Sequence, residues 1–523
     1  MCADKSIIMS TRTGLSKSRY TAFCQCPKNL WLKVYKPEEA KDDPALQARF
    51  EQGNEVGDLA MQLFGDFVEV TMKKVDGSLD LTAMVDKTQQ EMDKGTENIC
   101  EASFALEGHY CAVDILRRNG NGWDIYEVKS SSFPECDGEE TKLEKYAPDI
   151  AYQKWVLTQC GVKVINTYLV CLNSSYVRHG ELDIKSLFVI IDMHDLVENE
   201  YLKVPAQSSK ALKVLGMKDE PDFDLSEHCM KPYTCAFFDY CKRQHGVPRD
   251  KPTVFDLYRM SFSKKLEHYH AGRITFEALR KEKLNDKQQM QVECSLNGTK
   301  YINPVGIQEF LDKLTYPLYF LDFETLQQAI PQFDGQRPYQ QITFQYSLHI
   351  KENATAPYQH KEFLAPSDGS DPRCAVAEQL CKDIPMNVCT LAYNKGFECG
   401  RIKELAAMYP DLAAHLLNIR DHIVDLIDPF RAGDYYVPAM GGSFSIKSVL
   451  PALFPNEPSL NYHNLTGGVQ NGGDAMTIFP KIQHMQPDET KAAREALLRY
   501  CELDTWAMVK VWERLEETKL TNE

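Results

Sequence analysis

The chain of 523 residues is 43% apolar and 26% charged, with a net charge of −16 at pH 7. It is longer than one core usually holds, so two or three domains of a soluble globular protein are expected. No apolar run approaches the ~18 residues of a membrane span and no signal-peptide h-region opens the chain, so no membrane partner and a cytoplasmic location are expected; the 17 cysteines then point to reduced thiols or metal ligands.

In chain order, residues 16–35 are expected to be helical, interrupted at Cys26-Pro27, and 46–64 form a second helix with Gly53 and Gly57 one turn apart. The first 36 residues carry Lys5, Arg12, Lys17, Arg19, Lys28, Lys33 and Lys36 against Asp4 alone, and a second basic-leaning stretch runs from Lys242 to Lys287. In an otherwise acidic chain these stretches are candidates to track a phosphate backbone, or else solvated faces. Three strands follow at 99–106, 109–117 and 123–129, the last two joined through Asn119-Gly120-Asn121-Gly122, a strong hairpin signal. If Gly120-Asn121 is the loop, Asp114 falls directly opposite Glu127. Shifting the loop by one residue either way moves Asp114 opposite Ile125 or Lys129. Every such register keeps Asp114, Glu127 and Lys129 on one face, where they suit a cation and a nucleophilic water, or form an exposed surface pair.

Asp114 with Glu127-Val128-Lys129 resembles the PD-(D/E)XK nuclease core, and more narrowly the RecB-like branch that includes the CRISPR-associated iron–sulfur exonucleases. Tyr152-Gln153 matches that branch's glutamine motif, so Gln153 joins the implied site. In Gly53-Asn54-Glu55-Val56-Gly57, glycine stands at Gly57 where the branch has a histidine ligand. Glu55 or Asp58 would substitute, or the metal would have fewer protein ligands. The resemblance implies that Asp114 and Glu127 hold a divalent ion while Lys129 places the water or stabilises charge.

Three cysteines follow with the spacing Cys229-x5-Cys235-x5-Cys241. Thiolates ligate zinc or iron–sulfur clusters, and three of them need a fourth partner. His245 and Cys26 are both candidates, with Cys24 a rival to Cys26. Ser18-Arg19-Tyr20 leading to Cys26-Pro27-Lys28 resembles the N-terminal cysteine motif of the iron–sulfur nucleases. That resemblance implies a [4Fe–4S] cluster on Cys26, Cys229, Cys235 and Cys241, with Zn²⁺ as the alternative. Such a cluster would staple the two ends of the domain together.

Residues 246–300 read as a helical connector closed by the turn Asn297-Gly298. Strands are then expected at 318–323, 341–350, 360–364 and 388–393. The first ends in Asp322-Phe323-Glu324, whose alternation puts two acids on one face, an arrangement that favours Mg²⁺ or Mn²⁺ between them. Downstream, Asn394 to Glu398 opens a helix, and Tyr500 and Asp504 are i and i+4 on a helix running from about Glu489. The set resembles the DEDD exonucleases of the RNase H-like superfamily in their tyrosine variant, over roughly residues 315–515. Asp322 and Glu324 match the first motif, Asn394, Phe397 and Glu398 the second, Tyr500 and Asp504 the third. Glu398 departs from the usual aspartate. Asp425 reads as an accessory acid or a helix N-cap. Gly441-Gly442 reads as a turn before the helix from Ser445, with Lys447 within reach of a phosphate.

The expected architecture is α/β in two domains. Residues 1–245 would form a restriction-endonuclease-like PD-(D/E)XK core with an iron–sulfur staple, and 301–523 an RNase H-like mixed sheet with flanking helices, with 246–300 connecting them. The expected activity is metal-dependent hydrolysis of phosphodiester bonds, exonucleolytic, on DNA ahead of RNA. In the second module Asp322, Glu324, Glu398 and Asp504 would hold two ions while Tyr500 orients water. The alternatives are that one module only grips nucleic acid, or that the chain is a non-enzymatic scaffold with a structural cluster.

Overall fold

A computed structural model describes residues 14–41, 44–134 and 140–518. Asp4, Lys5 and Arg12 of the basic N-terminal stretch lie outside the described residues. The chain divides into two units. One comprises residues up to Val247 with Gln328–Gln340, the other Pro248–Gln327 and Gln341 onward, so the stretch read as a connector clusters with the second unit. Both units are mixed α/β. Among the described residues no helix is long and apolar enough to cross a membrane.

In the first unit, β1 (Leu15–Ser16), β2 (Val68–Glu69), β3 (Asn98–Leu106), β4 (His109–Asn119), β5 (Gly122–Phe133), β6 (Val164–Asn173) and β7 (Phe188–Asp192) form one sheet. Its order is β2-β3-β4-β5-β6-β7, with β1 also on β4. β3, β4 and β5 are antiparallel neighbours, and β6 returns parallel to β5 after the helix Ala147–Gln159. The hairpin pairs Asn119 with Gly122, leaving Gly120-Asn121 as the loop. Gly120 has φ +56°, which a side chain would resist, and a Cβ on Gly122 would meet the Lys163 carbonyl at 2.6 Å. Consecutive residues go to opposite cores, as the pleat requires: Leu116 packs with Tyr20, Ile125 and Tyr152, whereas Ile115 packs with Val56, Tyr126 and Val170.

In the second unit, β8 (Tyr301–Ile302) and β14 (Tyr435–Tyr436) make a small ladder. The main sheet runs β11 (Gln359–Leu364), β10 (Gln341–Lys351), β9 (Leu318–Gln327), β12 (Cys389–Ala392), β13 (Ile423–Asp425). β9, β12 and β13 are parallel, and β10 is antiparallel to both neighbours. Tyr319, Leu321, Phe323, Tyr346 and Leu348 bury one face against Val376, Leu380, Ile402 and Leu405. Against the other face lies the long helix Pro487–Glu516, where Gln345 Nε2 donates to the Leu497 carbonyl at 2.9 Å and Ser347 meets Thr505 at 2.7 Å. Asp322 and Glu324 are on that covered face, opposite Ser347 and Gln345.

Candidate functional site

In the first unit, the β4–β5 register, continued past Ile115↔Tyr126, sets Asp114 opposite Glu127. The Asp114 carboxylate takes the Val128 N–H at 2.7 Å. Glu127 is wholly buried, yet three donors surround it. Lys17 Nζ lies at 3.0 and 3.1 Å, Lys129 Nζ at 2.5 Å and Gln153 Nε2 at 2.7 Å. Lys129 and Gln153 also reach Asp149, at 2.9 and 3.2 Å. Burial pushes the Glu127 carboxyl up, but Lys129 and Lys17 outweigh it and hold the group well below the usual carboxylate range. Asp114 behaves oppositely: burial and the Glu127 charge raise it to about 6, against the pull of Lys17 and Lys129.

Sequence reasoning missed Lys17, Asp149 and Glu101. Lys17 also stands 3.5 Å from Asp114, so its ammonium bridges the two acids expected to share a metal ion. Its position follows from local structure: β1 fixes Leu15 on β4, Tyr152 Oη holds the Leu15 carbonyl at 2.5 Å, and Ser16 caps the helix that Lys17 opens. Glu101 faces Asp114 across the β3–β4 ladder, and burial with the Asp114 charge raises it to about 7. Glu55 and Asp58, the suggested substitutes for the histidine, are exposed on the helix Pro44–Ala60. Lys17→Met should destabilise the folded protein by about 2–3 kcal/mol at pH 7, because it strips a buried carboxylate of a partner. An unshifted denaturation midpoint would show that the bridge contributes nothing.

Two other N-terminal lysines are engaged inside the unit. Lys28 and Lys36 pair with Glu220 at 2.9 and 2.8 Å. Lys28 borders a small cavity whose wall also carries Cys26, Cys229, Cys235, Cys241 and Phe237. Cys24 and His245, the rival ligands, do not line it. Cys24 points to Gln207 at 3.5 Å and His245 to the Phe223 carbonyl at 3.0 Å. Burial raises the Cys241 thiol to about 12, and the other three cysteines act on it electrostatically. Among the described residues, the groupings of three or more metal-binding side chains with ligand atoms all within 4.8 Å do not include these cysteines. A single tetrahedral Zn²⁺ at ~2.3 Å would need the sulfurs about 3.8 Å apart.

In the second unit, β9 presents Asp322 and Glu324, whose carboxylates lie with the Cys501 sulfur in one grouping within 4.8 Å. Glu398 comes from the first turn of the helix Gly396–Met408 and Asp504 from the C-terminal helix. Burial is the largest influence on Asp322, followed by the charges of Asp504, Glu324 and Glu398, and all push its carboxyl well above the usual range. Glu324 is raised for the same reasons. Burial takes Asp504 to about 6 and, with the charge of Asp425, Glu398 to about 8. The Glu398 Oε2 is buried with no hydrogen-bond partner. The Tyr500 hydroxyl is pushed far above its ordinary value by burial and Asp504, so it stays a donor.

Four further residues complete this pocket. Tyr462 donates to Asp504 Oδ1 at 2.6 Å, a contact from a loop that carried no motif signal. Lys447 Nζ approaches Tyr500 Oη at 3.5 Å and is the cation that offsets Asp322, Glu324 and Asp504. Asp425 accepts the Asn394 N–H at 2.7 Å, and Arg431 clamps Asn394 Oδ1 at 2.6 Å, which together shape the turn before Glu398. Gly442 is glycine for a packing reason, since a Cβ there would meet the Asp256 carbonyl at 2.2 Å.

Raised carboxyls bind protons in the folded chain that the unfolded chain has lost. Without divalent ions, stability should therefore fall as pH rises from about 4, the unfolded carboxylate value, through the Asp504 and Glu398 values of about 6 and about 8. Melting temperatures in EDTA across that window read it, and a flat or rising profile would contradict it.

Residues 319–445 match a family described as a domain of unknown function (DUF2779). The match includes Asp322, Glu324 and Glu398 and stops before Tyr500 and Asp504. The chain is 26% identical over 243 residues to "Uncharacterized protein UU173" of Ureaplasma parvum, covering 40% of this chain and 33% of that protein. It is 25% identical over 214 residues to "Uncharacterized protein MG366 homolog" of Mycoplasma pneumoniae, covering 38% and 32%. The aligned part thus spans about a third of the length of these relatives.

Proposed function

We propose that the protein is a metal-dependent nuclease that hydrolyses phosphodiester bonds, with its principal centre in the second unit. The observation that carries this reading is the gathering of the half-buried Asp322 with the buried Glu324, Asp504 and Glu398, whose charges repel one another. Carboxylates so placed cannot all ionise near neutral pH without added positive charge, and their hard oxygens suit Mg²⁺ or Mn²⁺. The unpartnered Glu398 Oε2 fits the same need. Bound by these four acids, such ions supply water activation and stabilisation of the leaving oxygen. The chain's own groups do the rest: Tyr500 orients water through its proton, and Lys447 offers charge to a phosphate. The order β11-β10-β9-β12-β13, with β10 antiparallel, supports the RNase H-like resemblance and with it 3′-to-5′ exonuclease action.

The first unit supports a PD-(D/E)XK reading through three antiparallel strands, a helix and a parallel strand carrying Asp114, Glu127, Lys129 and Gln153. The cavity lined by Cys26, Cys229, Cys235 and Cys241 supports a metal group held by these four thiols, a [4Fe–4S] cluster ahead of Zn²⁺ on the strength of the resemblance. Lys17 at 3.0 Å from Glu127 favours a second reading for this unit, in which it grips nucleic acid, DNA ahead of RNA, without cutting. The test is cleavage of labelled single- and double-stranded DNA and RNA with Mg²⁺ or Mn²⁺ by wild type, Asp322→Asn and Glu127→Gln. Activity untouched by either change would reject both centres.

A further inference from the structure

Beside the candidate catalytic acids, the same sheet face carries a cluster of different chemistry. His349 on β10 and His360 on β11 are direct cross-strand partners, their rings 4.6 Å apart and 29° from parallel. Glu502, from the long C-terminal helix, completes a group whose ligand atoms all lie within 4.8 Å of one another. Two nitrogens and a carboxylate oxygen suit zinc and its neighbours rather than Mg²⁺.

We propose that His349, His360 and Glu502 form a transition-metal site for Zn²⁺ or a similar borderline cation, separate from the Asp322 pocket. The hydrogen bonds around the imidazoles are those a metal site needs. His349 Nδ1 meets Thr505 Oγ1 at 2.8 Å, and His360 Nε2 meets Ser347 Oγ at 2.9 Å. Thr505 donates to the Glu502 carbonyl at 3.1 Å and contacts Ser347 Oγ at 2.7 Å. Protons then run one way: both histidines donate inward, Ser347 donates to Thr505, and Thr505 donates to the carbonyl. Each imidazole thereby turns a lone pair outward, from His349 Nε2 and His360 Nδ1, and the latter is 3.9 Å from the Glu502 carboxylate. Partners of this kind fix tautomer and ring orientation in metal sites.

A cation held by all three would tie β10 and the edge strand β11 to the helix that bears Tyr500 and Asp504. It is a structural tie and does not depend on the nuclease reading.

The test uses the full-length protein, stripped with chelator and kept in excess Mg²⁺, with Co²⁺ and Zn²⁺ as probes. Wild type should retain one more equivalent of Co²⁺ than His360→Gln or Glu502→Gln, and those variants should bind it at least about tenfold more weakly. Trp506, 5.3 Å from His349, is the optical reporter. Co²⁺ should quench its emission in wild type, and this quenching should vanish in both variants and in Trp506→Phe. Zn²⁺ should raise the melting temperature of wild type more than that of the variants. Equal metal content and equal melting response in wild type and Glu502→Gln would overturn the proposal. Glu502 is exposed, so that variant decides the matter even if His360→Gln fails to fold.

Discussion

Asp322→Asn should lower divalent-dependent cleavage by about a thousandfold or more, corresponding to ~4 kcal/mol of lost transition-state stabilisation, while making the metal-free protein more stable at pH 8. The two effects come from one cause. Asp322 is repelled by Asp504, Glu324 and Glu398 in a buried pocket. The amide removes one charge from that cluster, which relieves the folded state and deprives the ions of a ligand. The gain should read as a melting temperature several degrees higher in EDTA, at about 2–4 °C per kcal/mol for a unit of this size, and should shrink as the pH falls and the repelled carboxyl takes up a proton. Glu127→Gln gives the contrast. The Glu127 carboxylate is held ionised by Lys17 and Lys129, so neutralising it leaves two ammonium groups short of a partner and should destabilise. If Asp322→Asn lost stability in EDTA at pH 8, or kept its cleavage rate, the repulsive pocket would not be the working centre.

Cys26→Ser should give the second large effect. Anaerobically purified wild type is expected to be brown, and the variant colourless, with a melting temperature lower by about 10 °C, since a structural metal group contributes several kcal/mol to folding. Cys26 stands between the helices Lys17–Gln25 and Pro27–Tyr35, while Cys229, Cys235 and Cys241 come from the far end of the unit. Direct contacts across this junction are both polar and apolar: Gln25 Nε2 donates to the His228 and Tyr233 carbonyls at 2.9 and 2.7 Å, and Trp31 and Leu32 pack with Phe237 and Tyr240. Loosening it should also loosen Lys17, so limited proteolysis should cut the N-terminal helices faster in the variant. A colourless wild type containing zinc would reject the cluster, and equal stability of both proteins would reject the staple.

Much of this was legible along the chain because it depends on short-range pattern. Period-two alternation placed Asp322 with Glu324, and Asn119-Gly120-Asn121-Gly122 named the hairpin whose register opposes Asp114 to Glu127. Cys229, Cys235 and Cys241 were found by their spacing, and Cys26 through the resemblance of its motif. Other features carried no local signal. Lys17 looked like one of seven basic residues in a stretch suited to phosphate, and only the pairing of β1 with β4 turns it onto two carboxylates. Tyr462 lies in a loop without a motif, yet it donates to Asp504. His349 and His360 are eleven residues apart in sequence and became a pair only through the β10–β11 register.

The physical reason for the division is range. Side-chain alternation, turn chemistry and capping act over a few residues, so the amino-acid order alone determined which groups share a strand face or a helix turn. Which carboxylate is repelled, which is neutralised and which lysine does it depend on desolvation and charge across elements distant in sequence. Those terms exist only once the sheets and the helices Ala147–Gln159 and Pro487–Glu516 have closed over the sites, and there the tertiary structure alone decided.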